Sequence, residues 1–293
     1  MNRQLLSAAF FISIISAFAF RFPVNQADIT ATFGESRGDH FHTGIDLKTR
    51  QQIFPVADGE IIFYRDFSEN PTIPIPGIGN HIVIQHENNL RSYYMHLESG
   101  SLNSRLTHVS EYDVIAMMGS SGRSTGEHLH LGIEDIQKNT MINPLKYLPE
   151  YTDRGKPEIL NMCFKTHSGK LIYLRPHMLM LSQNYKIFIK AWDIRSGHEE
   201  MRRQGRYYSV QGIKRITLLI DDEVVRDYDF TFLINHNNKL FVFPDYSFQD
   251  VYGENWYYRF GDFTPVKKSH VFKARCEDWS GNTDTKSVMI LFK

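Results

Sequence analysis

Short β-rich runs separated by turn-forming residues are the feature that most limits what this chain can fold into. In its first half these runs occupy Glu60–Tyr64, His81–Gln85, Arg91–Leu97, Val114–Met118 and His128–Glu134. Gly, Pro, Asn and Asp residues cluster between them, which is typical of antiparallel strands joined by tight turns. The sequence therefore predicts an all-β fold.

The second half keeps the β pattern and predicts a separate β-sandwich of seven to nine short strands. Its clearest runs are Tyr185–Asp193, Ile213–Ile220, Glu223–Phe230, His270–Glu277 and Lys286–Phe292. Between the halves, residues 143–157 show no period and contain three prolines and a glycine. We interpret this stretch as a linker, which predicts domains at residues 20–150 and 151–293.

The N-terminus has the pattern of a secretory signal peptide. A short basic start precedes the apolar run Leu5–Phe20, and small residues surround Ala19. We expect residues 1–19 to be removed, leaving a periplasmic or secreted protein with no stable membrane span. The alternative is an uncleaved anchor, but the run is short for a span of about 20 residues.

Composition excludes some function classes. The chain has 33 basic and 33 acidic residues, so no net charge favours broad binding to nucleic acid. Its two cysteines, Cys163 and Cys276, are too few for a disulfide scaffold or a cysteine-only zinc site. They permit either one disulfide or two buried thiols. Histidine is the notable residue, because eight of the 13 lie between positions 40 and 130.

The first histidine motif is His42-Thr43-Gly44-Ile45-Asp46. In an extended chain alternate side chains share a face, so His42 and Asp46 would point the same way. We expect Gly44 to leave open space between them for an ion. The alternative is a surface ion pair without further function.

Two further motifs supply imidazoles. His128 and His130 flank one residue and would share a face of a strand, directly after the glycine-rich turn 119–126. His96 ends another strand-like run, on the face predicted for Tyr94. Each histidine alone could be a hydrogen-bonded structural residue. Together with His42 and Asp46 they favour a zinc hydrolase, since catalytic zinc takes three protein ligands and keeps an open position.

These motifs also follow one another in the order of a known family. The matching blocks are Phe41–Leu47, Pro55–Gly59, Gly79–Ile84, Tyr94–Leu97, Gly119–Thr125 and Gly126–His130. Over residues 28–148 the chain resembles the lysostaphin-type (LytM-like) zinc endopeptidases, which cleave peptide cross-links in bacterial peptidoglycan. The resemblance implies an antiparallel β-sheet core with a substrate groove above it.

The resemblance also assigns roles to individual residues. It implies one zinc ion bound by His42, Asp46 and His130, with His96 and His128 as catalytic histidines that are not ligands. The expected activity is hydrolysis of peptidoglycan peptides by metal-activated water. His40 and His81 are expected to be bystanders. The long, proline-rich loop 66–80 departs from the family pattern and is expected to reshape one groove wall.

Two other functions remain open at this point. One is a non-catalytic activator or wall-binding module of the same family, and the other is a secreted zinc peptidase that cleaves proteins. The second domain lies outside the resemblance and is only weakly similar to bacterial Ig-like modules. It could be a spacer, a groove cover or a surface for an envelope protein partner.

Overall fold

The computed structural model describes residues 20–25, 28–48, 51–69, 75–148, 153, 155–194 and 210–293. The predicted signal peptide and its cleavage site after Ala19 lie outside these residues. Within the described part of the chain, no helix is both long enough and apolar enough to cross a membrane.

The all-β prediction is confirmed, and the predicted strands of the first half recur with small shifts. The strands up to residue 148 are β1 (Asp28–Ala31), β2 (Gly44–Lys48), β3 (Gln52–Ile53), β4 (Gly59–Arg65), β5 (Asn80–Gln85), β6 (Leu90–Leu97), β7 (His108–Val109), β8 (Ala116–Met117), β9 (Leu129–Asp135) and β10 (Thr140–Ile142). The prediction Val114–Met118 was too long, because only β8 forms there and it pairs with the two-residue strand β3.

The first half is built around an antiparallel sheet in which β9 is central. Along one edge β9 pairs with β6, which continues through β5 and β4 to β7. Along its other edge β9 pairs first with β2 and then with β10. Beneath the sheet lies a core of buried aliphatic and aromatic side chains, including Ile45, Tyr94 and Leu131. Burial of such side chains is the main stabilising contribution to a fold of this kind.

The described residues of the second half form the remaining strands and one short α-helix. They are β11 (Glu158–Lys165), β12 (Leu171–Tyr173), β13 (Met178–Met180), β14 (Tyr185–Ile194), β15 (Val210–Gln211), β16 (Arg215–Ile220), β17 (Glu223–Asp229), β18 (Phe232–His236), β19 (Lys239–Val242), β20 (Tyr246–Ser247), α1 (Phe248–Val251), β21 (Tyr258–Phe263), β22 (Ser269–Glu277) and β23 (Thr283–Phe292).

Ten of these strands form two five-stranded sheets that share one core. The first sheet contains β11, β12, β14, β15 and β21, and the second contains β13, β16, β17, β22 and β23. Side chains from both sheets, such as Phe164 and Phe272, meet in the same buried cluster. The second half therefore contains a β-sandwich, as the sequence predicts.

Three strands of the second half instead extend the sheet of the first. Strand β18 pairs with β10, and β19 and β20 follow it outward. In the opposite direction, Phe33 and Phe41 from the first half are buried in the sandwich core. The two predicted domains thus share both a sheet and a core, which the sequence did not indicate. The boundary near residue 150 stays a prediction.

The two cysteines are free and buried rather than joined in a disulfide. Cys163 lies on β11 and Cys276 on β22, which belong to opposite sheets of the sandwich. Burial raises the pKa of each thiol to about 12, so neither is present as a reactive thiolate near neutral pH.

Candidate metal centre

The pairing of β2 with β9 brings the first two histidine motifs together. In this antiparallel register Asp46 lies directly opposite His130, so the two side chains project from the same face. His42 lies just before β2 and contacts both of them. Two motifs that are far apart in the sequence therefore form one buried cluster.

Gly44 makes this approach possible, though not in the way the sequence suggested. A Cβ atom at Gly44 would lie 2.2 Å from the carbonyl oxygen of Leu131 and 2.8 Å from Nε2 of His130. The expectation that Gly44 leaves open space for an ion was wrong, because β9 fills that space. The missing side chain instead lets the two strands approach closely.

Three potential ligand atoms converge in this cluster. His42 Nε2 lies 3.0 Å from Asp46 Oδ1 and 2.9 Å from His130 Nδ1, and the latter two atoms are 3.1 Å apart. All three residues are buried, and they form a candidate metal site. Two imidazoles and a carboxylate form a ligand set that catalytic zinc sites use.

A backbone contact fixes the orientation of the His42 ring. Nδ1 of His42 lies 2.7 Å from the carbonyl oxygen of Thr32. Because a carbonyl oxygen only accepts hydrogen bonds, Nδ1 carries the hydrogen and Nε2 presents its lone pair to the cluster. A contact of this type is the usual way in which a metal-binding histidine is oriented.

The pKa values of both Asp46 and His130 are lowered in this cluster. Burial alone would raise the pKa of Asp46, but His42 and His130 outweigh it and hold that pKa well below its usual value. Burial lowers the pKa of His130 to about 4. Near neutral pH the cluster therefore contains an ionised carboxylate and a neutral His130, which is the protonation state that metal ligands require.

Arg37 also contacts the cluster, and the sequence reasoning missed it. Its Nη2 lies 2.6 Å from Oδ2 of Asp46, while Oδ1 of that carboxylate faces the two histidines. The carboxylate therefore has one oxygen committed to a guanidinium and one to the ligand cluster. The sequence contained no indication of this contact, because Arg37 belongs to none of the spaced motifs.

A β-bulge re-aims His96 toward the cluster. The register of β6 against β5 shifts between Asn80 and Ile82, and His96 has a left-handed backbone with φ of 63°. The shift gives β6 one residue more than β5 at this point, which interrupts the alternation of side chains along β6. Tyr94 consequently points into the core, whereas the His96 ring centroid lies 6.2 Å from that of His130. The prediction that His96 and Tyr94 share a face was wrong.

His96 and His128 lie side by side, and each makes the same kind of hydrogen bond to the backbone. Their ring centroids are 4.8 Å apart, and each Nδ1 is 2.8 Å from a carbonyl oxygen, that of Ser121 or Gly126 respectively. Both rings therefore carry hydrogen on Nδ1 and leave Nε2 as an acceptor. Nε2 of His128 lies 3.8 Å from Oδ1 of Asp46. Burial lowers the pKa of the other ring, that of His96.

The cluster opens into a groove of about 680 Å³. Pro76, Gly77 and Ile78 form part of its wall, so the described part of the proline-rich loop lines the groove. That the loop reshapes this wall relative to the family stays a prediction. The glycine-rich turn contributes Arg123 and Thr125.

The two predicted bystanders differ in position. His40 lines the groove but is exposed and contacts Asp39, at 2.5 Å. The ring of His81 stacks on Phe63, and its Nδ1 donates to the carbonyl oxygen of Gly79, at 2.8 Å. Neither contributes an atom to the candidate metal cluster.

The chain combines an all-β fold with a groove above a buried His-Asp-His cluster. These features make it a candidate metallohydrolase. A sequence model described as peptidase family M23 matches residues 40–144, which include all five predicted site residues. The chain therefore contains a peptidase family M23 domain. A second family model matches residues 156–293.

The similar proteins include both activators and hydrolases. The chain is 32% identical over 133 residues to "Murein hydrolase activator NlpD" of Escherichia coli, covering 45% of this chain and 31% of that protein. It is 37% identical over 120 residues to "DD-carboxypeptidase/endopeptidase Mpg" of Neisseria meningitidis, covering 39% of this chain and 25% of that protein. The chain thus spans a third or less of the length of these relatives.

Among solved structures, the catalytic domain of a mutant of the prophage-encoded M23 protein EnpA from Enterococcus faecalis is similar. It shares 25% identity with a TM-score of 0.36, covering 44% of this chain and 95% of that one.

Gly44→Ala should disrupt the candidate metal centre. The added Cβ collides with the backbone of β9, so we expect a loss of about 1–3 kcal/mol in the free energy of unfolding. Urea denaturation of the metal-free protein measures this loss. Gly132→Ala is the matched control, because Gly132 pairs directly with Gly44 and its added Cβ would make only ordinary contacts of 3.5 Å or more. Equal effects of the two substitutions would contradict this account of Gly44.

The metal-free protein should lose stability as the pH falls from 6.5 to 4. The pKa of His130 is about 4 in the folded state and near 6.5 when unfolded, so the unfolded chain binds the proton first in this range. This shift corresponds to about 3 kcal/mol, measured as a falling urea midpoint in the presence of a chelator. The lowered pKa values of His86 and His96 act in the same direction.

His130→Gln should flatten this pH dependence, whereas replacing the exposed His108 by Gln should leave it intact. A urea midpoint that does not change between pH 7 and pH 5 in the unmodified protein would contradict the buried, neutral state of His130.

Proposed function

We propose that this protein is a zinc-dependent endopeptidase that hydrolyses peptide cross-links of bacterial peptidoglycan. The observation that carries the proposal is the convergence of His42 Nε2, Asp46 Oδ1 and His130 Nδ1 beside two further imidazoles in an open groove. The M23 domain and the endopeptidase Mpg support the reaction class, and the name of NlpD, a murein hydrolase activator, suggests murein (peptidoglycan) as the substrate.

In this proposal His42, Asp46 and His130 hold one zinc ion. Such an ion, when bound, would act as a Lewis acid and would lower the pKa of a bound water molecule to about 7. His96 and His128 would then serve as the proton-transferring groups, because Nδ1 of each ring is bound to a backbone carbonyl and Nε2 is the nitrogen that remains for the groove. The lowered pKa of His96 keeps that ring neutral near pH 7, ready to accept a proton. A protonated ring would then donate to the leaving amine.

Recognition of the substrate would rest on the groove rather than on the overall charge of the protein. Arg123 is 72% exposed at the groove and Arg37 is 34% exposed. Guanidinium groups bind carboxylates with two parallel hydrogen bonds, and peptidoglycan peptides carry free carboxylates. We place the protein in the periplasm or outside the cell, where its substrate would be, after removal of residues 1–19.

The second candidate is a non-catalytic activator, which NlpD among the relatives favours. Against it, both the three ligand residues and the two additional histidines are present in one groove. A third candidate is a secreted zinc peptidase that cleaves proteins, which would use the same site on a different substrate.

Digestion of purified peptidoglycan with the zinc-loaded protein separates the three functions. The proposal predicts fragments whose peptide cross-links are cut, identified by mass spectrometry, and loss of cutting on chelation. Zinc binding without cleavage would favour the activator, and cleavage confined to unfolded protein substrates would favour the third candidate. Either result would contradict the proposal.

His130→Ala and His128→Ala should separate metal binding from catalysis. We expect His130→Ala to lose both zinc and activity, because it removes a ligand. His128→Ala should keep stoichiometric zinc but lose activity about 10²–10⁴-fold, as for other general acid–base groups. Metal content is measured by atomic emission and activity by release of peptide fragments.

The reverse pattern, with zinc lost in His128→Ala and kept in His130→Ala, would contradict these assignments. His81→Ala is a suitable control, because His81 lies on β5, two strands from β9 in the same sheet, and outside the cluster. It should retain both zinc and activity.

A further inference from the structure

The segment Thr32–His42, here called the ligand loop, connects the candidate metal centre to the second half of the chain. The loop closes on itself, because the amide of His42 donates to the carbonyl of Glu35 and that of Gly34 donates to the carbonyl of His42, both at 2.8 Å. Its first residue, Thr32, also accepts the hydrogen bond that orients the His42 ring. The position of Thr32 therefore determines the position of a predicted metal ligand.

Thr32 is held by the buried carboxylate of Glu35. Oε1 of Glu35 accepts from the amide of Thr32 at 2.5 Å and from its hydroxyl at 2.9 Å. Glu35 is only 4% exposed and Thr32 is fully buried. A buried carboxylate is costly unless it is hydrogen-bonded, so these contacts are strongly favoured over their loss.

The same carboxylate is bound by the second half of the chain. The amide of Gly212, just after β15, donates to Oε1 of Glu35 at 2.9 Å and to the hydroxyl of Thr32 at 3.0 Å. Beside it, Gln211 Nε2 donates to the carbonyl of Ile29 at 2.9 Å. Thr32 and Gly212, which are 180 positions apart in the sequence, are thus bridged by direct hydrogen bonds in a buried position.

Aromatic packing fixes the rest of the ligand loop to the sandwich. Phe41, which precedes His42, is 2% exposed and has ring contacts with Phe230, Phe248 and Tyr252. The hydroxyl of Tyr252 donates to the carbonyl of Gly34 at 2.9 Å. The loop is therefore anchored at its beginning and its end by the second half.

We propose that the second half of the chain is a structural part of the metal centre, and that Glu35 is the positioning residue. Glu35 binds Gly212 of the second half and Thr32, and Thr32 in turn orients the His42 ring. This inference rests on the proposed role of His42 as a zinc ligand. It gives the second half a function other than those of spacer, groove cover or binding module.

The most direct test alters the second half and measures zinc binding. Gly212→Ala adds a Cβ that would lie 2.6 Å from Cγ of Glu35 and 3.3 Å from the hydroxyl of Thr32, while its own backbone is not left-handed. In the full-length protein we expect the dissociation constant for zinc to rise on the order of tenfold, the range found for groups that orient metal ligands. Competition with a chromophoric chelator measures it.

Glu35 provides a second test with a conservative variant. Glu35→Ala should weaken zinc binding about as much as Gly212→Ala, because Thr32 loses its acceptor. Glu35→Gln should restore near-normal affinity, since an amide oxygen can accept the same hydrogen bonds. The visible spectrum of the Co²⁺-substituted protein should shift in Gly212→Ala and Glu35→Ala but not in Glu35→Gln.

Ile290→Val is the control for general destabilisation. Ile290 is fully buried in the sandwich core on β23 and belongs to none of the ligand-loop contacts described above. It should lower the thermal midpoint without changing the zinc affinity. If Glu35→Ala fails to fold, Gly212→Ala compared with Ile290→Val still decides the question.

Zinc affinity equal to that of the unmodified protein in folded Gly212→Ala would overturn the proposal. So would an equal loss of affinity in Ile290→Val at the same thermal midpoint. Because binding is measured without peptidoglycan, a protein that binds zinc but cleaves nothing would refute only the proposed activity. An unmodified protein that binds no zinc would refute both.

Discussion

The close pairing of β2 with β9 is the constraint on which the rest of the candidate site depends. It places Asp46 opposite His130 and requires a residue without a side chain at Gly44. Strand β9 also pairs with β6, so the same strand fixes the approach of His96. One sheet and the residues directly beside its strands thereby bring five polar side chains together at the groove, with hydrophobic packing beneath the sheet.

Most buried polar groups at this site have a defined partner, and Nε2 of His130 is the exception. Carbonyl oxygens orient His42, His96 and His128, and in each ring this leaves the other nitrogen facing the groove. Arg37 binds the outer oxygen of Asp46. Such contacts reduce the number of conformations that the side chains can adopt before a ligand binds, which is how a protein prepares a site for chemistry.

Local patterns in the sequence predicted much of the fold and most of the side chains that meet in the candidate site. Alternation along a strand correctly placed Asp46 and His130, since the register of an antiparallel pair follows its hydrophobic face. The same rule failed at His96, because a bulge inserts one residue and only the partner strand reveals it. Contacts of Arg37, and of Thr32 and Glu35 with Gly212, were missed because they depend on tertiary packing between distant segments.

The second half of the chain illustrates the same limit. Its strands and sandwich were predictable from composition and periodicity, but the pairing of β18 with β10 was not. Neither was the burial of Phe41 in the sandwich core, since an aromatic residue beside a histidine motif gives no sign of which core it enters. The candidate site is consequently contacted by described residues from both halves of the chain and not by residues 40–144 alone.

The most direct measurement of the central claim is a crystal structure of the zinc-loaded full-length protein with anomalous diffraction recorded at the zinc edge. The account predicts one strong peak bound by His42 Nε2, Asp46 Oδ1 and His130 Nδ1, with His96 and His128 beside it but not coordinated. A peak bound by His96 or His128 in place of these ligands, or no peak in the groove, would contradict it.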